Sequence, residues 1–112
     1  MDLAVDCYKL TRAFPKEETY GMTSQIRRAS VSVAANIAEG HGRETTAAFI
    51  QFLRTAQGSL KELETHLMLA MKVNQAPIDR GEAMLARCDG VGRMLRALTR
   101  SLQQRTERGD RA

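Results

Sequence analysis

The sequence predicts an all-α protein folded as an up-down-up-down, antiparallel four-helix bundle. Apolar residues recur at spacings of three and four through four separate stretches, the period of a helix with one buried face. No stretch alternates apolar and polar residues long enough to make a strand. Short polar or Gly/Pro-punctuated connections separate the four stretches, and short connections make neighbouring helices antiparallel. The 112 residues form one domain, and at this size folding hides roughly two thirds of the unfolded surface, enough for one modest core. With no tryptophan and three phenylalanines, that core falls to Leu, Ile, Val, Met and Ala. Residues 1–104 are assigned to the bundle and residues 105–112 to a polar, arginine-rich, frayed tail.

The first helix spans about Asp2 to Ala13, with Leu3, Cys7, Leu10 and Phe14 on one stripe, and Pro15 ends it. A polar loop over Pro15 to Gly21 leads to the second helix, about Thr23 to Glu39. There Ile26, Ser30, Val33 and Ile37 share a stripe, flanked by the small residues Ala29, Ser32, Ala34, Ala35 and Ala38. Gly40-His41-Gly42 stops it, with Gly40 suited to a left-handed position just past the helix end. Asn36, beside the apolar stripe, is expected to be half-buried and hydrogen-bonded. Glu39 lies in the last turn, where the helix dipole opposes an anion by about 0.3–1 kcal/mol. Arg43, Arg28 and Arg27 are the local cations that can offset it.

The third helix spans about Thr46 to Val73, with Thr45 as its N-cap; a full capping box would want Glu or Gln where Ala48 stands. Phe49, Ala56, Leu63 and Ala70 repeat every seven residues, as do Leu53, Leu60 and Leu67. Phe52, Ser59 and His66 add a third row, which makes this helix apolar or small over much of its circumference and suits it to a face shared with another subunit. Gly58 costs about 1 kcal/mol against alanine inside a helix, a cost more easily explained where another backbone passes close by. Phe52, Gly58, Ser59 and His66 are therefore the candidate oligomer interface. The fourth helix opens on Asp79 and Glu82 as an N-cap pair with Ile78 as a hydrophobic staple. Met84, Cys88, Val91, Leu95, Leu98 and Leu102 form its stripe, while Gly81, Gly90 and Gly92 weaken it.

The IRRA…NIAEG.GR and GSL.ELE strings, within Leu3 to about Val73, resemble the small four-helix-bundle proteins associated with intervening sequences of large-subunit ribosomal RNA genes. The resemblance marks Arg27, Arg28, Asn36, Glu39, Gly40, Gly42 and Arg43 as a structural motif. It implies an all-helical subunit assembled into a ring-like homo-oligomer, commonly a homopentamer. Related sequences carry another turn or two before Leu3, so the first helix here is expected to be the weaker. More remotely, the chain resembles the accessory bundle proteins of diversity-generating retroelements, whose basic surfaces engage nucleic acid and a reverse transcriptase. The resemblance brings no catalytic residues with it.

Charge is distributed unevenly. Residues 1–92 hold eleven Lys/Arg and eleven Asp/Glu, a net of zero; residues 93–112 hold six Arg against Glu107 and Asp110, a net of +4. Arg93, Arg96 and Arg100 recur at i, i+3 and i+7 on one exposed stripe, and Arg105, Arg108 and Arg111 carry the charge into the tail. Such a row matches phosphates along RNA or DNA, with the salt sensitivity that counterion release brings. Arg93, Arg96, Arg100, Arg105 and Arg108 are the candidate nucleic-acid-binding residues. With few aromatics to stack bases, binding should follow backbone charge rather than sequence.

Other chemistries find little footing. Di-iron bundles use repeated Glu-x-x-His motifs, whereas Glu62 and His66 are four apart with no second pair, and His41 stands apart in a loop. Cys7 and Cys88 fall on apolar stripes as reduced thiols with no histidine nearby in sequence. Gly40-His41-Gly42 lacks the length and lysine of a phosphate loop. No metal, cofactor or enzymatic activity is expected. There is no apolar run of about eighteen residues and no signal-peptide pattern, which points to a soluble cytoplasmic protein and no membrane partner. The expected function is a non-enzymatic nucleic-acid or ribonucleoprotein accessory. The alternative is a module that docks a nucleic-acid enzyme, such as a reverse transcriptase, without binding nucleic acid itself.

Overall fold

A computed structural model of the chain describes residues 2–18, 21–73 and 75–107. Four α-helices and one 3-10 turn make up its regular structure: α1 (Asp2–Thr11), the turn Lys16–Glu18, α2 (Met22–His41), α3 (Thr46–Lys72) and α4 (Ile78–Glu107). No strand occurs among the described residues. Helices α1 and α3 each pack against both α2 and α4, and the α2–α3 contact is the most extensive. Cys7, Leu10, Ile26, Leu53, Leu63, Leu67, Cys88 and Leu95 are fully buried where the four meet.

Helix α1 stops at Thr11 rather than Ala13. The Thr11 hydroxyl donates to the Cys7 carbonyl at 2.8 Å. The Phe14 amide donates to the Thr11 carbonyl at 3.0 Å, a three-residue closure that tightens the chain ahead of Pro15. Phe14 still reaches the core. The Asp6–Arg87 ion pair ties α1 to α4.

Helix α2 runs two residues past Glu39, so Gly40 does not take the left-handed cap position expected of it. It is helical and buried, and a Cβ there would sit 2.8 Å from Phe49 Cδ1 and 3.1 Å from Phe52 Cβ. Gly42 forms the cap in ordinary right-handed backbone (φ −82°), its amide donating to the Glu39 carbonyl at 3.2 Å. Glycine at position 40 thus serves the close approach of α3, not backbone reversal.

Thr45 caps α3 as expected: in extended backbone (φ −110°, ψ 147°), its Oγ1 accepts from the Ala48 amide at 3.1 Å. The next residue, Thr46, is buried with its hydroxyl unpartnered among the described residues. Leu53, Leu60 and Leu67 are buried with Ala56, Leu63 and Ala70, which confirms both apolar stripes.

Helix α4 begins at Ile78, two residues earlier than Asp79 would allow as N-cap. The Pro77 carbonyl accepts from the Gly81 amide at 2.9 Å, placing Asp79 inside the first turn. Ile78 is 62% exposed and staples nothing. At the far end α4 continues to Glu107. Its glycines divide by role. Gly81 faces Met71, and a Cβ at Gly92 would lie 3.3 Å from Leu60 Cδ2, so both let α3 come close. Gly90 has nothing within 4 Å of a built Cβ. Gly90→Ala is therefore expected to raise stability by about 1 kcal/mol through helix propensity alone, read as a higher urea midpoint with unchanged slope.

Candidate nucleic-acid interface

The arginines of α4 do not all point the same way. Arg93 pairs back with Asp89 at 3.4 Å, both well exposed, so its charge is partly answered within its own helix. Arg96 and Arg100 instead line a groove of about 240 Å³ between α4 and α3, together with Arg54, Gln57, Thr99 and Gln103. None of these three arginines has an ion-pair partner among the described residues. The groove floor is ordered by hydrogen bonds: Gln57 Nε2 donates to Thr99 Oγ1 at 3.4 Å, and the Thr99 hydroxyl donates to the Leu95 carbonyl at 2.8 Å. Three guanidinium groups from two helices thus border one shallow strip, a surface that attracts phosphates.

Towards the middle of the bundle the strip changes character. Arg96 also borders a neighbouring groove of about 300 Å³ that includes Lys61, Glu64 and Asp89, where charges of both signs meet. The basic strip therefore runs from Arg96 to Arg100. Arg105 lies in the last turn of α4, half-exposed. Arg108 lies outside the described residues. Arg54 is the member that the charge pattern of α4 could not reveal. Its spacing of three from Gln57 places both on one face of α3, but only the packing of α3 on α4 brings that face to Arg96 and Arg100.

The residues of the second-helix motif have separate contacts. Arg43 Nη2 donates to Glu39 Oε2 at 2.7 Å, and its guanidinium carbon lies 4.8 Å from the Phe52 ring centroid. The cation expected beside Glu39 is thus Arg43. Arg27 turns the other way, with Nε donating to Thr11 Oγ1 at 2.8 Å and the guanidinium carbon 4.6 Å from the Tyr8 ring centroid. Arg28 is exposed, with no partner among the described residues. Asn36 is half-buried and donates to the Ser32 carbonyl at 2.8 Å, satisfying the expectation within its own helix. Ser32 and Ser59 join α2 to α3 at 2.7 Å. His41 is the last residue of α2, not a loop residue, and tilts against Phe49 with centroids 4.8 Å apart.

Of the candidate interface residues on α3, Phe52, Ser59 and His66 are half-buried, Phe52 beneath Arg43 and Ser59 against α2, while Gly58 opens to solvent. Large exposed apolar side chains gather elsewhere, at Met68, Leu69, Val73 and Ile78 around the α3–α4 connection.

Among the described residues no group of three or more His, Cys, Asp or Glu could hold a metal ion. Cys7 and Cys88 are free and fully buried. Burial pushes the Cys7 thiol up to about 11, against a lowering hydrogen bond from Ser30 and with a further rise from Asp6. Burial likewise pushes Cys88 up to about 12, helped by the Cys7 and Glu64 charges. Both remain protonated and poorly nucleophilic at neutral pH. No described helix is long and apolar enough to cross a membrane.

Residues 1–97 match the family described as 23S rRNA-intervening sequence protein. The chain belongs to that family. The match takes in all of α1, α2 and α3 and α4 as far as Ala97, so Arg54, Arg93 and Arg96 lie within it and Arg100 and Arg105 beyond it. Among solved structures, the 23S rRNA-intervening sequence fold seen here is similar to a crystal structure of a protein with unknown function from the S23 ribosomal protein family of Bacteroides thetaiotaomicron VPI-5482. The two are 24% identical, covering 88% of this chain and 92% of that one, with a TM-score of 0.79. The chain matches no curated protein.

Proposed function

We propose that this family member is a non-enzymatic, cytoplasmic subunit of a ring-like homo-oligomer, a homopentamer on the family resemblance, that binds RNA or DNA through the α3–α4 groove. The observation that carries the reading is the convergence of Arg54, Arg96 and Arg100, unpaired among the described residues, on one strip. Arg105 at the end of α4, and Arg108 in the sequence beyond the described residues, add positive charge, and Arg93 contributes less because Asp89 answers it. No metal or cofactor takes part.

The subunit is an antiparallel up-down-up-down bundle. Support comes from pairs at matching heights: Thr11 with Arg27, Gly40 with Phe49, Leu60 with Gly92 and Gln57 with Thr99. Assembly uses the α3 flank around Phe52, Gly58, Ser59 and His66, with the open surface at Gly58 as the point of closest approach. One subunit offers few phosphate contacts and binds weakly; a ring repeats the strip and gains by multivalency when one polymer spans several copies.

The test is native mass measurement with a single-stranded RNA at two salt concentrations, on the natural protein and on Arg54→Gln/Arg96→Gln/Arg100→Gln. The natural protein should appear as a multiple of its 12.5 kDa subunit and bind RNA with a steep salt dependence. The triple variant should keep its mass and lose about 2 units of log–log salt slope per engaged subunit, at ~0.7 per phosphate on a single strand. A lone subunit at working concentrations, or binding and slope unaltered in the variant, overturns the corresponding half of the reading. The exposed cluster of Met68, Leu69, Val73 and Ile78 supports a second reading, docking of a partner protein such as a nucleic-acid enzyme. In that case a partner would co-purify while RNA was ignored at physiological salt.

A further inference from the structure

A second basic groove lies between α1 and α2, sharing no helix with the α3–α4 strip. It has a volume of about 560 Å³ and is bounded by Tyr8 on α1 and by Thr23, Ser24, Arg27, Arg28 and Val31 on α2. None of these residues is acidic.

Arg27 is held ready for a ligand. Its Nε is committed to Thr11 Oγ1 at 2.8 Å, and the Thr11 hydroxyl is itself anchored on the Cys7 carbonyl at 2.8 Å. The Tyr8 ring supports the guanidinium from one side, 4.6 Å from ring centroid to Cζ. Both terminal amino groups of Arg27 have no acceptor among the described residues. Much of the ordering that normally opposes binding by a long side chain has thus already taken place. A planar fork fixed at its base and open at its tip matches two oxygens of a tetrahedral anion.

Two more groups point to the same ligand. Thr23 is only 6% exposed, yet its hydroxyl makes no hydrogen bond among the described residues, and it borders the groove. Its oxygen still reaches solvent and is free to donate to a ligand in the groove. Arg28 adds a second, unpaired cation on the rim, one residue along.

We propose that the α1–α2 groove is a phosphate-binding subsite, occupied by a backbone phosphate of single-stranded nucleic acid and open also to free inorganic phosphate. This rests on the reading that the chain binds nucleic acid, and it adds a contact remote from the α4 arginines. Arg27 grips two phosphate oxygens through its terminal nitrogens, Arg28 neutralises the charge, and the Thr23 hydroxyl donates to a remaining oxygen. A nucleotide held there has Tyr8, 43% exposed, beside it as a stacking surface.

The experiment follows amide and arginine Nε–H NMR signals of the full chain during titration with inorganic phosphate, then with a short single-stranded RNA. It compares the natural protein, Arg27→Lys, Arg28→Gln and the α3–α4 triple variant. Phosphate should move the Thr23, Ser24 and Arg27 signals in both the natural protein and the triple variant. Arg27→Lys and Arg28→Gln should each weaken phosphate binding by about tenfold, the scale of one charge-assisted hydrogen bond. Arg28 has no partner among the described residues to lose, so its variant keeps the fold and decides the question even where Arg27→Lys disturbs α1. Phosphate binding that survives Arg28→Gln unchanged, or shifts that avoid Thr23, Ser24 and Arg27, would overturn the subsite. RNA affinity lost in the triple variant but intact in both α2 variants overturns it while sparing the α3–α4 reading. Phosphate retained at α1–α2 with RNA binding unaffected by the triple variant does the reverse.

Discussion

Gly40→Ala should destabilise the protein by about 2 kcal/mol, opposite in sign to Gly90→Ala although both glycines lie inside helices. In an open helical position the added methyl gains about 1 kcal/mol of propensity. At position 40 that gain is overrun, because the methyl would sit 2.8 Å from Phe49 Cδ1 and 3.1 Å from Phe52 Cβ. The Phe49 ring can turn aside, but the Cβ of Phe52 is fixed to the α3 backbone and moves only if α3 moves. The cost is therefore that of overpacking, about 1–3 kcal/mol, concentrated in the most extensive helix contact of the fold. Urea unfolding of the two single variants and of Gly40→Ala/Phe49→Leu checks this, the double variant recovering only the share due to the ring. A Gly40→Ala protein as stable as the natural one would mean that α2 and α3 do not approach this closely.

That contrast shows where the sequence was legible and where it was not. The stripes of α1, α3 and α4 were readable because burial follows periodicity: Leu3, Cys7, Leu10 and Phe14 are all buried, as are both α3 rows from Leu53 to Ala70. Thr45 was readable because capping is local chemistry. Gly40 was misread because a glycine beside a helix end usually signals left-handed backbone, whereas here the signal came from a neighbouring helix. The same limit applies to the candidate interface. Arg96 and Arg100 were visible as a row on one helix, but Arg54 joins them, and Arg93 leaves them for Asp89, only through choices made in three dimensions. Arg27 looked like one of three interchangeable partners for Glu39. The distance between α1 and α2 instead commits it to Thr11 and Tyr8.

The two buried thiols set the second large effect, a loss of stability in alkali. Burial raises Cys7 from an ordinary 9.0 to about 11 and Cys88 from 9.0 to about 12. Between pH 9 and those values the unfolded chain releases its thiol protons while the folded chain keeps them. The unfolded state then binds fewer protons, so stability falls as pH rises. The contribution is fully present below pH 9 and lost as pH climbs through 11 to 12. Each thiol steepens the decline by at most about 1.4 kcal/mol per pH unit. The diagnostic quantity is a difference between two proteins. Cys7→Ala/Cys88→Ala loses packing at every pH but should show a distinctly flatter decline above pH 9 than the natural protein. Thiol labelling gives an independent check at pH 8, where the shifts cut the thiolate fraction about 100-fold at Cys7 and about 1,000-fold at Cys88. Labelling should therefore wait on unfolding, and its rate should follow the opening of the bundle rather than the reagent concentration. Parallel alkaline slopes in the two proteins, or prompt labelling of the folded chain, would place these sulfurs in water rather than where α1 and α4 meet.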